Sequence, residues 1–441
     1  MTRMKDSGIE WIGEVPEEWG ITKFKYFLDT NKGLTITKEN LIEDGIPVIN
    51  YGQIHSKYGK SVSTDRDELP QVSANYLKFK QSLLKPGDFV FADTSEDIDG
   101  SGNFSTRIDD NGELFAGYHT IKAKLKNALE HDFRYFMHYF DSLAFRKQVQ
   151  NKVSGIKVYS ITQSILQETC LILPSLYEQT QIADFLDKKV AQLDSVKSLL
   201  EEQIKTLEDY RQSLIYETVT KGLDKTVPLK DSGVDWIGQI PEGWEVKNFK
   251  YVATIKDGTH DTPEYFVEGV PLITSKNLDS VQNRIDFDSA KNISYDDHIK
   301  ISQRSDVKKG DILMPMIGTV GGATQVLVEK EFSIKNVALF KVAHDEALSR
   351  FLYYQLNSRW TNSQLSFMMS GGVQSFVSLN MLSQVKLIIP TSEEIKKINL
   401  FLDSGVGKIN QMIAIKKEQI DNINKQRQTL IYDYVTGKRR V

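Results

Sequence analysis

Nucleophiles, metal ligands and phosphate-binding loops are the residue patterns that would give this chain a chemistry of its own. A phosphate-binding P-loop requires GxxxxGK[ST], and Gly59-Lys60-Ser61 matches only its end, because Ile54 occupies the position of the first glycine. Gly100 and Gly102 follow no clean hydrophobic strand, and no acidic ribose ligand is identifiable downstream, so they indicate a turn and not a cofactor loop. Neither glycine pattern predicts nucleotide chemistry.

Metal and nucleophile patterns are equally weak. The seven histidines include no HExxH pair or comparable spacing, and Cys170 lies in an apolar Cys-Leu-Ile-Leu run that is typical of a buried core residue. We find no methyltransferase tetrapeptide (Asn/Asp-Pro-Pro-aromatic) and no nuclease metal motif. The sequence therefore predicts a recognition or scaffold protein with no catalytic residue, no metal site and no cofactor in this chain.

Composition sets the broad class. The 441 residues suffice for two to four domains. The 55 basic and 59 acidic side chains give a net charge of −4, which argues against a histone-like protein that coats nucleic acid. A single cysteine excludes an internal disulfide, and no apolar run is long enough for a membrane span. We expect a cytoplasmic protein without membrane contact.

The elements that position any functional residue occur twice. Residues 5–26 read KDSGIEWIGEVPEEWGITKFKY and residues 230–251 read KDSGVDWIGQIPEGWEVKNFKY, with thirteen identities at an offset of 225. Residues 171–187 and 211–222 recur as 387–403 and 427–438, at an offset of 216. This long period is a duplicated half-molecule and not a solenoid repeat. Trp11, Trp19, Trp236 and Trp244 are the same in both copies, so we expect them to serve packing.

Each repeat ends in a predicted long helix. Ser175 with Glu178, and Thr391 with Glu394, fit capping boxes, and Gly222 and Gly437 fit helix C-terminal glycines. Sustained three- and four-residue apolar spacing predicts a coiled-coil seam, and about 45 residues of helix would run ~65–70 Å. We expect the two helices to pair antiparallel within the chain; a homodimerising coiled coil is the alternative. The seam positions are Leu186, Val190, Leu193, Val196, Leu200, Ile204, Leu207 and Leu214, then Ile398, Leu402, Val406, Ile409, Ile413, Ile420, Ile423 and Leu430.

Short β-rich pieces between Gly, Asn and Asp turns fill the segments that precede these helices, with helical stretches near 132–150 and 346–365. The fold class is thus α+β: two α/β globules separated by two long antiparallel coiled-coil helices, with an internal pseudo-two-fold repeat. The predicted domains are 1–173, a helical spacer at 174–223, 224–389, and a second helical spacer at 390–441.

Several of these stretches together resemble the specificity (S) subunit of type I restriction–modification systems. They are Asp6–Trp19 and Asp231–Trp244, the Gly87-Asp88 and Gly310-Asp311 turns, Leu-Pro-x-x-x-Glu-Gln at 173–179, Phe-Leu-Asp at 185–187 and 401–403, and Arg211–Gly222 with Arg427–Gly437. The second copy departs from the pattern with Ser392-Glu-Glu-Ile395 where the first has Leu176-Tyr-Glu-Gln179.

The resemblance implies a function and a set of partners. Each globule is a target recognition domain that reads one half of a split double-stranded DNA target, and the helices set the gap and dock a pair of methyltransferase (M) subunits. S-adenosylmethionine, ATP and Mg belong to partner subunits, which include a restriction/translocase (R) subunit. The chain alone is then non-catalytic, within a complex that methylates adenine and cuts DNA.

Candidate DNA contacts are polar side chains in loops that follow equivalent strands of the two copies, because base edges and phosphates are read by such groups. The framework matches between copies while these side chains differ, as reading two different half-sites requires. The candidates are Lys32, Asn50, Tyr51, Gln53, His55, Lys57, Thr94, Ser95, His119, Lys157, Thr259, His260, Thr274, Ser275, Lys276, Asn277, Gly318, Thr319, Asn336 and Gln374.

Two other functional classes stay open at this point. One is a stand-alone nuclease or methyltransferase with a degenerate motif, which turnover by the purified chain would reveal. The other is a coiled-coil DNA-binding or scaffold protein outside restriction–modification. Salt-dependent DNA affinity separates a DNA reader from a pure scaffold, since phosphate contacts make binding weaken as salt rises.

Overall fold

The computed structural model describes residues 3–155, 158–317, 321–342, 345–369 and 376–441. The chain divides into two compact units. The first unit comprises Met1–Leu199 with Gln419–Val441, and the second comprises Leu200–Glu418. None of the helices in the described part of the chain is both long and apolar enough to cross a bilayer.

The first unit contains short strands and helices that alternate along the chain. Its strands are Met4–Asp6 (β1), Glu14–Pro16 (β2), Gly20–Lys23 (β3), Leu28–Lys32 (β4), Leu41–Ile42 (β5), Ile46–Ile49 (β6), Ser61–Val62 (β7), Gln71–Val72 (β8), Phe89–Ala92 (β9), Thr94–Ser95 (β10), Phe104–Arg107 (β11), Phe115–Ala116 (β12), Thr120–Leu125 (β13), Tyr159–Ser160 (β14) and Cys170–Leu173 (β15). Its helices are Phe24–Phe27 (α1), Tyr51–Ser56 (α2), Phe133–Asp141 (α3), Leu143–Gln150 (α4), Gln163–Gln167 (α5) and the start of Leu176–Lys221 (α6), with 3-10 turns at Lys38–Asn40, Ala74–Lys78, Lys80–Ser82 and Ala128–Glu130.

The second unit repeats this order with local changes. Its strands are Leu229–Asp231 (β16), Gln239–Pro241 (β17), Glu245–Asn248 (β18), Thr254–Asp257 (β19), Val270–Ile273 (β20), Leu278–Asp279 (β21), Arg284–Ile285 (β22), Lys291–Ile293 (β23), Ile312–Pro315 (β24), Thr324–Gln325 (β25), Ser333–Ile334 (β26), Val337–Lys341 (β27) and Lys386–Ile389 (β28). Its helices are Tyr295–Arg304 (α7), Glu346–Leu356 (α8), Arg359–Met369 (α9), Leu379–Gln384 (α10) and the start of Ser392–Val435 (α11), with 3-10 turns at Phe249–Tyr251 and Ser275–Asn277.

The two units share a common strand order, with one more strand in each main sheet of the first unit. The central sheet of the first unit runs β4-β13-β9-β11-β7, and that of the second runs β19-β27-β24-β25. A second sheet pairs β6 with β12 in parallel, as β20 pairs with β26. A separate antiparallel pair, β3 with β15 and β18 with β28, precedes each long helix. The short β-rich pieces predicted in the segments before the long helices are confirmed.

One predicted helical stretch in each copy is two helices in the structure. The 132–150 stretch is α3 and α4, separated by Ser142 in an extended conformation (φ −72°, ψ 155°). The 346–365 stretch is α8 and α9, which are separated at Asn357 and Ser358. Apolar periodicity continues across such a corner, so the sequence pattern alone does not reveal it.

The starts and ends of the long helices agree with the sequence predictions. The Ser175 N–H and hydroxyl donate to the Glu178 carboxylate (3.2 and 2.9 Å), and Thr391 does the same to Glu394 (3.2 and 2.7 Å). Gly437 follows the end of α11 with φ 72°, and a side chain there would approach Pro16 to 2.5 Å and Trp19 to 2.9 Å. The capping boxes and the C-terminal glycine are therefore both confirmed.

Within each unit the two long helices run in opposite directions. In the first unit the Phe185 and Tyr434 rings lie 4.5 Å apart, and Arg427 Nε donates to Asp194 at 3.1 Å. In the second unit Arg211 Nη1 donates to Asn410 Oδ1 at 2.7 Å. Later residues of α6 thus meet earlier residues of α11, so the predicted antiparallel pairing is confirmed inside one chain.

One predicted seam position is wrong. Val196 is 47 % exposed, whereas Leu186 and Val190 before it are buried. Alternating four- and three-residue steps from Leu186 pass through Leu193 and reach position 197, where the side chain is Lys197. Val196 therefore lies beside the seam, although its apolar side chain fitted the sequence pattern.

Each hydrophobic core is completed by the helix of the other repeat. In the first unit Ile431 and Val435 of α11 join the core of β9, β13 and α3. In the second unit Ile215 and Val219 of α6 join the core of β24, β27 and α8. All four side chains are buried, and burying one such side chain contributes about 1.5–3 kcal/mol.

Two of the four repeated tryptophans anchor these junctions. Trp19 and Trp244 are buried, and their indole N–H groups donate to Glu178 (3.1 Å) and Glu394 (3.0 Å). Their predicted packing role is confirmed. Trp236 differs, because it is 40 % exposed and the centre of its ring lies 5.8 Å from that of Phe367.

Candidate DNA interface

The turn before the central strand is built alike in both units. His119 precedes β13 and Asn336 precedes β27, and both adopt the left-handed conformation with φ 55°. The carbonyl of each accepts from the residue after the neighbouring strand, Asp93 N at 3.0 Å and Met316 N at 3.2 Å. A left-handed backbone is rare for residues other than glycine, and histidine and asparagine are among the types that tolerate it. The frame is therefore shared while the side chain differs.

A glycine after the edge strand of each central sheet, Gly33 after β4 and Gly258 after β19, lets the chain pass close to this turn. Gly33 N donates to Thr120 O and Gly258 N to Val337 O, both at 3.0 Å. A Cβ at Gly33 or Gly258 would lie about 2 Å from a backbone carbonyl oxygen, closer than any side chain allows. This close approach brings Lys32 in the first unit, and Thr259 with His260 in the second, beside the turn.

In the first unit the predicted histidines lie in one hydrogen-bonded patch. His119 Nδ1 contacts Asp93 Oδ1 at 3.1 Å, and its ring meets the edge of Tyr51 at 5.3 Å. Thr94 Oγ1 donates to the same Asp93 carboxylate at 2.7 Å. His55 Nε2 lies 2.8 Å from Thr94 O. The structure thus brings together Tyr51, His55, Thr94 and His119 from three separate segments.

In the second unit a different set occupies the same frame. The His260 ring lies between the Asp257 carboxylate (3.0 Å from Nε2) and the Asn336 amide (2.8 Å from Nδ1). Arg304 Nε donates to the other oxygen of Asp257 at 2.8 Å. His260, Asn336 and the neighbouring Thr259 are therefore placed together, as the sequence predicted. Thr259 Oγ1 accepts from Asp261 N at 3.1 Å.

Two predicted asparagines hold the start of a helical turn, Asn50 as the N-cap of α2 and Asn277 as the residue that accepts from the N-cap Thr274. Asn50 is fully buried, and its Oδ1 accepts from Tyr118 N at 3.1 Å while Gln53 Oε1 accepts from Asn50 N at 2.9 Å. In the second unit Asn277 Oδ1 accepts from Thr274 N and Thr274 Oγ1, both at 2.9 Å. These four side chains hold the loop after β6 or β20 in shape, and their contact with DNA stays a prediction.

The other candidates vary in exposure. Lys32, Lys57, Ser275 and Lys276 are exposed, whereas Ser95 is buried next to Gly100. Lys57 Nζ donates to the Glu68 carbonyl at 3.2 Å. Lys157, Gly318, Thr319 and Gln374 lie outside the residues that the structure describes. Base contact by any candidate stays a prediction.

The structure adds residues that sequence reasoning missed. Asp93 and Asp257 each orient a candidate histidine, and Tyr118 lies beside His119 with its ring 6.0 Å away. Burial, and then the neighbouring Tyr51, raise the pKa of Tyr118, so its phenol stays protonated as a donor. Asp93 directly follows β9, so its place after a strand could have identified it from the sequence. Arg304 is the last residue of α7, which carries no sequence motif.

The patches offer both donors and acceptors. Imidazole, amide and hydroxyl groups match base edges, carboxylates accept from cytosine amino groups, and lysines meet phosphates. Among the described residues no group of three or more His, Cys, Asp or Glu is arranged to hold a metal ion. The arrangement suits recognition through hydrogen bonds at two similar but chemically distinct surfaces.

Comparisons with known proteins agree with this organisation. The family model described as "Type I restriction modification DNA specificity domain" matches twice, at residues 16–206 and 241–425. The chain is 24 % identical to the type I restriction enzyme MjaVIII specificity subunit of Methanocaldococcus jannaschii over 97 % of this chain and 94 % of that protein. It is 26 % identical to the EcoBI specificity subunit of Escherichia coli over 66 % and 60 %.

A solved structure shares the fold. A chain from work on complex assembly and conformational transition of the type I R-M system superposes with a TM-score of 0.66 and 16 % identity, over 96 % of this chain and 99 % of that one. The two family matches together cover most of the chain, and each falls on one repeat with its long helix. The chain therefore belongs to the type I restriction modification DNA specificity domain family and is a specificity subunit with two recognition domains.

Proposed function

We propose that this chain reads a bipartite double-stranded DNA target, with one half-site for each recognition domain. The observation that carries the proposal is the pair of turns at His119 and Asn336. The two turns share φ and backbone hydrogen bonds and differ in the side chain they present. Different side chains on one backbone frame are what two unlike half-sites require, since base edges are distinguished by donor and acceptor pattern.

Chemistry in this scheme belongs to partner proteins. The chain acts as the non-catalytic subunit of a complex that methylates adenine and cuts DNA, in which methyltransferase subunits bind S-adenosylmethionine. A separate restriction/translocase subunit uses ATP and Mg. The relatives named above are specificity subunits of type I restriction enzymes, which supports these partnerships.

The long helices offer repeated surfaces for partner subunits. Val196 and Leu199 on α6 lie roughly half exposed, and so do Met412 and Ile415 at the corresponding positions on α11. Residues three apart on a helix share a face, so each pair forms a small apolar spot. Exposed apolar side chains at equivalent places on both helices support the docking of two similar partners, and the helices then set the gap between half-sites.

A domain exchange tests the reading of two half-sites. Residues 1–170 are replaced by the corresponding segment of another family member, and the chain is expressed with its own partner subunits. We expect methylome sequencing to show a changed 5′ or 3′ half-site, with the other half-site and the gap unchanged. The matched control replaces residues 224–386 and should change the opposite half.

Two outcomes would contradict the proposal. A change in both half-sites from a single exchange would show that the domains do not read independently. DNA affinity of the assembled complex that does not fall with rising salt would show that phosphates are not contacted, because counterion release makes such binding salt-dependent.

A further inference from the structure

A lysine–tyrosine pair with an exposed tyrosine ring lies at the same place in both repeats. Tyr26 is 68 % exposed and its counterpart Tyr251 is 71 % exposed. Lys25 Nζ lies 5.4 Å from the centre of the Tyr26 ring, and Lys250 Nζ lies 4.9 Å from that of Tyr251. These rings add little to either core. A cation over an exposed ring is worth about 0.5–1 kcal/mol, enough to favour one ring orientation.

The backbone anchors both pairs at the same place. Phe24 and Phe249, two residues earlier, are fully buried, and their N–H groups donate to Thr169 O and Val385 O, both at 2.8 Å. Thr169 directly precedes β15, and Val385 directly precedes β28. Since those strands lead into α6 and α11, each tyrosine is tied to the start of a long helix.

The pairs lie at the end of the edge strand away from the candidate DNA residues. Tyr26 precedes β4, and Lys32 ends that strand; Tyr251 precedes β19, and Thr259 with His260 follow it. A strand rises ~3.3 Å per residue, so four or five residues separate the two ends by about 10–15 Å. The tyrosines therefore lie one strand length away from the turns that differ between the copies.

Resting on the proposed function, we propose that Lys25–Tyr26 and Lys250–Tyr251 are twin contact points for the methyltransferase subunit, one copy at each repeat. The turns that face DNA carry different side chains because they read different sequences, whereas the lysine and tyrosine are the same in both repeats and so suit a partner that binds twice. Tyrosine is enriched in protein interfaces because it combines a large apolar ring with a hydroxyl donor. The complementary surface should offer a slot for the ring, and Lys25 keeps its own carboxylate partner, Glu168, at 2.5 Å.

The test uses the full chain, its methyltransferase subunit and a duplex that carries the target. Tyr26→Ser, Tyr251→Ser and the double variant are compared with Tyr295→Ser, a 59 % exposed tyrosine of the second repeat. Calorimetric titration should show one of two methyltransferase-binding events weakened about tenfold or more in each single variant, and both in the double variant. Thermal unfolding and the Tyr295→Ser titration should match those of the unchanged chain.

Other outcomes would overturn the inference. If the double variant binds methyltransferase with an affinity within twofold of that of the unchanged chain, the tyrosines do not contact this subunit. If DNA binding at saturating methyltransferase is weaker while the affinity for methyltransferase is unchanged, the tyrosines contact DNA phosphates instead. Altered self-association assigns them to a second copy of the chain. Failure of the unchanged chain to bind methyltransferase contradicts the proposed function itself, which distinguishes the two failures.

Discussion

The two units use different chemistry at corresponding positions close to the junction of each recognition domain with the long helices. In the first unit the buried Asp141 carboxylate accepts from Lys60 and from Arg427 Nη1 (3.0 Å), and Arg427 also donates to Asp194 (3.1 Å). In the second unit, 216 residues on, Asn357 replaces Asp141. Its amide binds the backbone of Ala323, with Oδ1 accepting from Ala323 N at 2.9 Å.

A second pair of corresponding positions, His138 and Tyr354, also carries different side chains. His138 Nε2 lies 2.7 Å from Asp187 Oδ1, and the counterpart Tyr354 donates its hydroxyl to Asp403 Oδ1 at 2.5 Å. One acid is thus kept in both units while the side chain that binds it changes from an imidazole to a phenol. A duplicated fold thus keeps an acid on the long helix with an arginine beside it, Asp187 with Arg134 and Asp403 with Arg350, while the ionic junction at Asp141 is replaced by a neutral one at Asn357.

The largest expected effect comes from removing the acid at the ionic junction. Asp141→Ala leaves Lys60 and Arg427 without their shared acceptor in a mostly buried site, and breaking such a pair costs about 3–5 kcal/mol. We expect the free energy of local opening of α3 in the first unit to fall by that order, measured by native-state hydrogen exchange.

The matched change in the other unit is Asn357→Ala. It removes two amide hydrogen bonds to Ala323, which should lower the opening free energy of α8 by about 1–3 kcal/mol. Equal losses in the two units would show that charge is not what distinguishes the junctions.

A smaller effect is expected from the partner of the repeated acid. Burial opposes ionisation of Asp187, but the hydrogen bond and charge of His138, with Arg134, lower the pKa of Asp187 overall. A lowered carboxyl pKa stabilises the fold above the ordinary value of 3.8, and that contribution is lost as pH falls through the folded value. His138→Phe should therefore raise the pKa of Asp187 and cost about 1–2 kcal/mol at neutral pH. Carboxyl NMR titration measures the pKa.

Tyr354→Phe is the counterpart in the second unit. It removes the hydroxyl that donates to Asp403 and accepts from Arg350 Nη2 at 3.1 Å, and should cost about 1–2 kcal/mol. Burial raises the pKa of Tyr354 well above neutrality, so this loss should not vary between pH 5 and 8. A pH-dependent loss there, or an unchanged Asp187 titration, would contradict the proposed contrast.

The smallest effects are expected at the glutamates that bind Trp19 and Trp244, and Glu178 also accepts from Arg440. Burial opposes ionisation of Glu178 and Glu394, yet hydrogen bonds from Trp19 and Ser175, and from Thr391 and Trp244, lower the pKa of each below 4.5. The hydrogen bonds from the indole N–H groups to these carboxylates are thus fully formed above pH 4.5. They weaken as pH falls through the lower pKa of the folded state. Glu178→Gln and Glu394→Gln should each cost about 0.5–1.5 kcal/mol.

Indole N–H NMR signals followed from pH 6 to 3 check this prediction. The Trp19 signal should shift with acid in the unchanged chain and become flat in Glu178→Gln, and Trp244 should behave alike with Glu394→Gln. If the indole signal of the unchanged chain does not shift with pH, the carboxylate does not bind the indole N–H.

Much of the fold follows from local sequence signals. The capping box at Ser175, the glycine at 437 and the apolar spacing of the long helices depend on neighbours within a few residues, so pattern alone locates them. The internal duplication supplied the antiparallel pairing as well, because a repeat related by rotation reverses the direction of its copy.

The remainder depends on contacts between distant segments. Val196 fitted the seam by type, but the helical phase set by Leu186 placed it outside. The meeting of His55, Thr94 and His119 requires three segments to fold together, and sequence indicated only that each follows a strand. Arg304 and Asp257, joined across the second unit, had no pattern to connect them.

The exchange of helix ends between repeats bears on biosynthesis. Ile431 and Val435 fill the core of the first unit, yet they are encoded beyond all of the second unit. While the ribosome is still making residues 200–418, the first recognition domain has an unfilled apolar gap where those side chains will lie. We expect the nascent first domain to stay partly open until translation supplies that segment, so the two halves mature together and not in order of synthesis.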